Sequence, residues 1–228
     1  MNMQLRQDET TPDPHAGQPV RTAGPAPQEA DATLVLLHGR GGTAEGMLPL
    51  YDQIGLPTLA ALAPQAAGST WYPRTFLDPL EVNQPFLDSA LRRIESLVAE
   101  LLAGGIPSDR IALLGFSQGA CLALEFAARR PRRYGAVMGL TGGLIGPPGT
   151  PRDYAGSLAG TPVFLGTSDP DAHIPLERVL ETAAVLRRMG ARVELRRYPG
   201  MPHTVNQDEI DACRALLEPL VRDQKRTQ

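Results

Sequence analysis

Short apolar runs alternate along this chain with longer amphipathic segments, and that alternation limits the folds open to it. Helical periodicity predicts helices over residues 85–103, 120–128, 176–189 and 207–222. The apolar runs are typical of strands buried on both faces, and they cover residues 33–37, 58–63, 111–116, 136–140, 162–166 and 193–198. Strands that alternate with helices form βαβ units. We therefore predict an α/β fold with a mostly parallel central sheet and helices on both faces.

The N-terminal residues differ in composition from the rest of the chain. Residues 1–17 are rich in Gln, Pro, Asp and Thr without apolar periodicity, which predicts a disordered tail. A short edge strand is expected around residues 20–22. The remaining 18–228 are enough for one domain with a substantial core.

Charge and cysteine content exclude several classes of protein. The net charge is −3, and the one dense basic cluster, residues 129–133, follows a predicted helix, where cations favour the helix end. We therefore expect no nucleic-acid partner. Cys121 and Cys213 form neither a disulfide framework nor a metal-ligand spacing, and no run reaches the length of a membrane span. We expect a cytoplasmic protein without stable membrane insertion.

The sequence Gly-Phe-Ser-Gln-Gly at 115–119 joins a predicted strand to a predicted helix. A serine at the apex of such a turn exposes its hydroxyl above the sheet, and flanking glycines let the returning backbone pass. A serine hydroxyl is a weak nucleophile until a base accepts its proton. Ser117 is therefore a candidate nucleophile, and Cys121, four residues later, is expected in the core.

His203 is the best candidate for that base among the four histidines. It follows the last predicted strand, and the carboxyl ends of parallel strands are where ligands and catalytic groups collect. His15 lies in the predicted tail, and His38 ends the first strand. His173 is expected to pack or cap near the site.

The carboxylate that orients the base should lie between Ser117 and His203, after a strand. Asp169 and Asp171 both qualify. We favour Asp169, because it follows the strand at 162–166 most directly, and keep Asp171 as the alternative.

Two backbone amides are candidates for stabilising an oxyanion: Gln118, at the start of a helix, and Arg40, in the glycine-rich loop after the first strand. That loop also fits a dinucleotide-binding pattern. The pattern requires an acidic residue about twenty positions later. No Asp or Glu occurs between Asp52 and Asp78, which argues against nucleotide-cofactor binding.

With these residues collected, the chain resembles the phospholipase/carboxylesterase family of α/β-hydrolases, which includes enzymes similar to acyl-protein thioesterases. The resemblance runs from about Leu34 to the last helix. It rests on Leu-Leu-His-Gly-Arg-Gly-Gly at 36–42, Ala-Pro-Gln at 63–65, Trp71-Tyr72, Gly-Phe-Ser-Gln-Gly at 115–119, Gly-Thr-Ser-Asp at 166–169 and His203. In the family the aspartate closely precedes Val-Pro or Ile-Pro, and here that segment is about two residues longer, so Asp169 and Asp171 both remain open.

The resemblance implies an α/β-hydrolase fold without a large cap domain, and a serine esterase with no metal or organic cofactor. It also implies backbone donors at Arg40 and Gln118. We expect a small-molecule ester, or a thioester, as substrate. Lysophospholipase or acyl-protein thioesterase activity is an alternative, and peptidase or amidase activity and a non-catalytic binding protein are less favoured.

The long polar stretch at 64–84 is expected to set substrate choice. Its aromatic residues Trp71, Tyr72 and Phe76 are candidates for the wall of an acyl pocket. Trp71 could equally fix this loop to the core. The oligomeric state is expected to be a monomer or a homodimer.

Overall fold

A computed structural model describes residues 13–222, whose strands form a single seven-stranded sheet. The spatial order is β1-β3-β2-β4-β5-β6-β7. β1 pairs antiparallel with β3 at one edge, and all other neighbours are parallel. The strands are β1 Val20–Ala23, β2 Ala32–Leu37, β3 Leu59–Pro64, β4 Ile111–Phe116, β5 Ala136–Leu140, β6 Pro162–Asp169 and β7 Arg192–Pro199. The predicted α/β fold is confirmed.

Helices cover both faces of the sheet and create two apolar cores. Successive side chains of a strand point to opposite faces, so Val35 and Leu37 of β2 pack on one core while Leu34 and Leu36 pack on the other. The helices are α1 Leu48–Ile54, α2 Phe86–Ala103, α3 Gln118–Arg129, α4 Leu176–Arg188 and α5 Gln207–Arg222. Side chains of α2, α3 and α4 fill the first core, and those of α1 and α5 fill the second. Among residues 13–222, no helix is both long and apolar enough to cross a bilayer.

β6 extends further than the sequence predicts. Its pairing with β7 continues past Gly166 as far as Asp169, which lies opposite Pro199. The extension includes Thr167 and Ser168, both buried polar residues that the apolar pattern does not mark as strand. The loop that leads towards the site therefore begins after Asp169.

The segment just before β1 is attached to the protein, contrary to the prediction for residues 13–17. The imidazole of His15 is fully buried, and its backbone N–H donates to Ser89 Oγ on α2 at 2.9 Å. The stretch is held mainly by hydrogen bonds, and for that reason its polar composition gave no apolar signal of a fixed structure. The rest of the predicted tail, residues 1–12, lies outside the described residues.

Candidate active site

Ser117 lies at the apex of a tight turn between a strand and a helix. Ser117 lies between the end of β4 and the start of α3 with φ 54° and ψ −117°, a conformation that non-glycine residues rarely adopt. A Cβ atom at Gly115 would lie 2.2 Å from the Gly119 carbonyl oxygen, and one at Gly119 would lie 2.1 Å from that of Leu37. The two glycines are thus required sterically by the close passage of the chain around the serine.

The side chains of Ser117 and His203 meet above this turn. The Ser117 hydroxyl Oγ lies 2.9 Å from His203 Nε2. His203 belongs to the loop after β7, and the Ser168 hydroxyl holds that loop by donating to the Pro202 carbonyl at 3.0 Å. The Phe116 ring supports the imidazole at a centroid distance of 5.1 Å.

Asp171, not Asp169, lies behind His203. The Asp171 Oδ2 atom is 2.7 Å from His203 Nδ1, and Oδ1 accepts the backbone N–H groups of His173 and Ile174 at 2.8 and 2.9 Å. Burial raises the pKa of Asp171, but the hydrogen bonds from His203 and the two amides outweigh it and hold the pKa below its usual value. The carboxylate therefore stays ionised and keeps a proton on His203 Nδ1.

The preference for Asp169 is corrected by this arrangement. Asp169 is the last residue of β6, and its carboxylate forms an ion pair with Arg197 of β7 at 3.5 Å. The sequence argument assumed that the strand ends at Gly166, which would have placed Asp169 in the loop. Because β6 continues to Asp169, the residue that turns towards His203 comes two positions later.

Both predicted oxyanion donors lie near the serine: Gln118 directly follows Ser117, and Arg40 follows Gly39, where a Cβ atom would lie 3.4 Å from that of Ser117. Gln118 is the first residue of α3, whose N-terminal dipole favours negative charge. The Arg40 side chain donates to the carbonyls of Pro73 and Arg74. These bonds tie the loop after β2 to the loop after β3.

His38 braces the loop that carries the Arg40 amide. Its Nδ1 donates to the Gly39 carbonyl at 2.8 Å, and its Nε2 accepts the Ala66 N–H at 3.1 Å. Burial lowers the pKa of His38, partly offset by the bond to Gly39, so the ring is held neutral. This supporting role was not found from the sequence, although the position of His38 directly before the glycine-rich loop was a signal.

Trp71 is a structural residue, and its candidacy for the pocket wall is not supported. The side chain is completely buried, and its indole N–H donates to the His38 carbonyl at 2.8 Å. Its backbone N–H donates to the Gln118 side-chain carbonyl at 2.9 Å, while the Gln118 amide group donates to the Tyr72 carbonyl at 2.8 Å. Gln118 thus fixes the Trp71-Tyr72 segment to α3, a function that sequence analysis did not assign to its side chain.

A cavity of about 610 Å³ opens beside Ser117. Two of the three aromatic candidates, Tyr72 and Phe76, line it together with Cys121, His173 and Ile174. Burial raises the pKa of Cys121 to about 12, so its thiol is not a competing nucleophile. A second cavity of about 710 Å³ opens near the start of β6 and β7, against α5, and contacts neither Ser117 nor His203.

Residues 24–220 match the model of the phospholipase/carboxylesterase family. The chain belongs to this family. It is therefore a hydrolase of the carboxylesterase/phospholipase type with the α/β-hydrolase fold. Within the described part of the chain, no group of three or more His, Cys, Asp and Glu side chains is arranged to hold a metal ion.

Individual relatives agree with this family membership. A phospholipase/carboxylesterase from Dyadobacter fermentans has a crystal structure that superposes with a TM-score of 0.85 at 44% identity, covering 88% of this chain and 96% of that one. Acyl-protein thioesterase 1 of Saccharomyces cerevisiae is 29% identical over 214 residues, 84% of this chain and 93% of its own. The Bacillus cereus carboxylesterase, at 17% identity and a TM-score of 0.71 over 90% of this chain and 95% of its own, shares the fold.

Proposed function

We propose that this hydrolase cleaves carboxylic esters through an acyl-enzyme formed on Ser117. The observation that carries the proposal is the unbroken hydrogen-bonded chain from Ser117 through His203 to Asp171, with distances of 2.9 and 2.7 Å. A hydroxyl, an imidazole and a buried carboxylate in this order form a nucleophile, a general base and an orienting anion.

In the acylation step, Ser117 Oγ attacks the ester carbonyl carbon while His203 Nε2 accepts the hydroxyl proton. The Arg40 and Gln118 amides donate to the carbonyl oxygen as it becomes negative. His203 then gives the proton to the leaving alcohol, and the acyl group remains on Ser117.

Deacylation repeats these roles with water as the nucleophile. His203 takes a proton from water, the hydroxide adds to the acyl carbon, and the proton returns to Ser117 Oγ as the acid departs. The net reaction is ester plus water to acid plus alcohol. Asp171 keeps the Nδ1 proton in place throughout and stabilises the imidazolium that forms in each half.

The cavity supports a substrate with a modest acyl group placed against Tyr72 and Phe76. The thioesterase relative in Saccharomyces cerevisiae makes a thioester the second candidate, since the same steps release a thiol instead of an alcohol. A small-molecule ester remains the first candidate substrate. The oligomeric state, a monomer or a homodimer, and the cytoplasmic location remain predictions.

A matched substrate panel tests the function. We would assay p-nitrophenyl esters of increasing acyl length beside an acyl thioester and an anilide, using the wild type, Ser117→Ala and the remote Ser157→Ala. We expect ester hydrolysis that Ser157→Ala leaves unchanged and that Ser117→Ala lowers by several orders of magnitude, about 10⁴-fold or more.

Three results would overturn the proposal. Equal ester hydrolysis by Ser117→Ala and the wild type would remove Ser117 as the nucleophile. A wild type that binds but cleaves none of the substrates would point to the binding-protein alternative, whereas preferred cleavage of the anilide would indicate an amidase.

A further inference from the structure

The imidazole of His15 binds the loop after β3, outside the cavity that contains Ser117. It is fully buried, its Nε2 donates to the Trp71 carbonyl at 3.0 Å, and its Nδ1 accepts the Ala67 N–H at 3.0 Å. Both ring nitrogens are therefore engaged with the backbone of the stretch after β3. The ring also packs against Trp71 and against Phe86 of α2, at centroid distances of 5.5 and 5.9 Å.

Trp71 passes this contact to the loop after β2. Its indole stacks on the His38 ring at 4.9 Å and donates to the His38 carbonyl. His38 in turn donates to the Gly39 carbonyl. Because a peptide unit is planar, fixing the Gly39 carbonyl also fixes the direction of the Arg40 N–H in the same unit.

Residues 13–17 are themselves anchored on α2. The Ser89 hydroxyl accepts the His15 N–H and donates to the Asp13 carboxylate, which also pairs with Arg92 at 3.5 Å. Neither anchor touches the catalytic cavity. The segment is thus held on one side by α2 and meets the Trp71 loop on the other.

We propose that His15 is a positioning residue, which orients the Arg40 amide for oxyanion stabilisation through Trp71 and His38. This inference rests on the proposed function, because it concerns the oxyanion formed during ester cleavage. It gives the segment before β1 a part in catalysis although His15 lies outside the cavity. The neutral ring is the active form, since a protonated Nδ1 cannot accept the Ala67 N–H.

The local charges define how this contact responds to pH. The charged and titratable groups around His15 are Asp13 of its own segment, which pairs with Arg92 on α2, and His38 behind Trp71. Burial lowers the pKa of His15, although the Trp71 carbonyl and the Asp13 charge oppose the shift. The contact is therefore intact at neutral pH.

Three variants test whether His15 acts on the Arg40 amide through Trp71 and His38. His15→Phe keeps a ring against Trp71 but loses both hydrogen bonds, whereas the shorter His15→Asn places an acceptor near the Nδ1 position. Trp71→Phe removes the bond to the His38 carbonyl. The control is Arg21→Ala in β1, which breaks an exposed ion pair with Glu45.

We expect His15→Phe and Trp71→Phe to lower kcat about 10- to 100-fold with little change in KM, and His15→Asn to recover much of the loss. A trifluoromethyl ketone, which forms an oxyanion on the nucleophile, should lose affinity in parallel with kcat. A merely structural role would reduce the active fraction and leave this inhibition constant unchanged. Wild-type values of kcat and of the inhibition constant in both folded variants would overturn the proposal.

Trp71 fluorescence gives a readout independent of hydrolysis, because the chain has one tryptophan. We expect the emission of the wild type to change as the pH falls below the usual pKa of histidine. His15→Asn should alter the amplitude or the midpoint of that change. Identical curves would also overturn the proposal. Failure of the proposed function is seen separately, as a wild type that cleaves no ester.

Discussion

Asp169 and Asp171 show how much a two-residue displacement matters at the carboxyl end of a strand. Asp169 ends β6 and pairs with Arg197, whereas the side chain of Asp171 is buried behind His203. The buried carboxylate accepts three hydrogen bonds that keep it ionised. Only the second aspartate is placed to stabilise an imidazolium.

We predict that Asp171→Asn lowers kcat by about 10³- to 10⁴-fold, because an amide no longer selects the Nδ1–H tautomer of His203. Asp169→Asn is the matched control and should keep nearly full activity. Steady-state kinetics on one p-nitrophenyl ester decides between them. The assignment fails if Asp169→Asn is the inactive variant.

At this scale the sequence predicted residues whose roles follow from local pattern. Ser117 is marked by its flanking glycines, and His203 by its place after the last strand. The choice of aspartate depended on where β6 ends, which is set by pairing with β7 and leaves no apolar signal in Thr167 and Ser168. His15 was missed because its contacts lie more than fifty residues away in sequence.

The last helix, α5, begins with a reciprocal cap formed by Asn206 and Glu209. The Glu209 N–H donates to the Asn206 side-chain carbonyl at 2.9 Å, and Glu209 Oε2 accepts the Asn206 N–H at 3.0 Å. The other carboxylate oxygen, Oε1, is buried without a hydrogen-bond partner against Gly166 of β6. Burial raises the pKa of Glu209 to about 7, although the bond to Asn206 lowers it.

This carboxyl should make stability depend on pH. A raised folded-state pKa means that the folded protein holds a proton that the unfolded chain has lost, so stability falls as pH rises from about 4.5 to about 7. Glu209→Gln removes this titration. We predict that its Tm relative to the wild type increases from pH 5 to pH 8, which thermal melts in a pH series measure.

The control is Leu216→Ala on the same helix, which removes a partly buried apolar side chain and no titratable group, so its Tm shift should be the same at every pH. A Glu209→Gln difference that is constant with pH would show that Glu209 is ionised in the folded protein.

Among the elements, α1 was missed by the sequence analysis, since its seven residues are too few for a clear helical period.

The whole molecule has two cores separated by the sheet, and each holds one buried thiol. Cys121 lies in the core with α2, α3 and α4, and Cys213 lies in the core with α1 and α5. Burial raises the pKa of both thiols, and both are free. They therefore report on the two faces of the sheet separately.

We predict that neither thiol reacts with a cysteine reagent until the protein unfolds, and that both then react at the same rate, because the strands are shared by the two cores. Pulsed alkylation followed by peptide mass spectrometry measures each site. The single-residue variants Cys121→Ala and Cys213→Ala assign the signals. Different rates at the two sites would contradict a single cooperative domain.

The fold was predictable at this scale because its signals are repeated along the chain, once for each strand and helix. The site was predictable in outline, since parallel strands bring their carboxyl ends to one edge of the sheet. What could not be predicted are the contacts that join distant segments, such as the Gln118 side chain holding Trp71 and Tyr72.

Covalent labelling of Ser117 tests the central claim most directly. The protein is treated with a fluorophosphonate, and the modified peptide is identified by mass spectrometry in the wild type, Ser117→Ala and Asp171→Asn. We predict one adduct, on Ser117, that is absent from Ser117→Ala and forms far more slowly in Asp171→Asn. An adduct on any other residue of the wild type, or equal rates in the wild type and Asp171→Asn, would contradict the account.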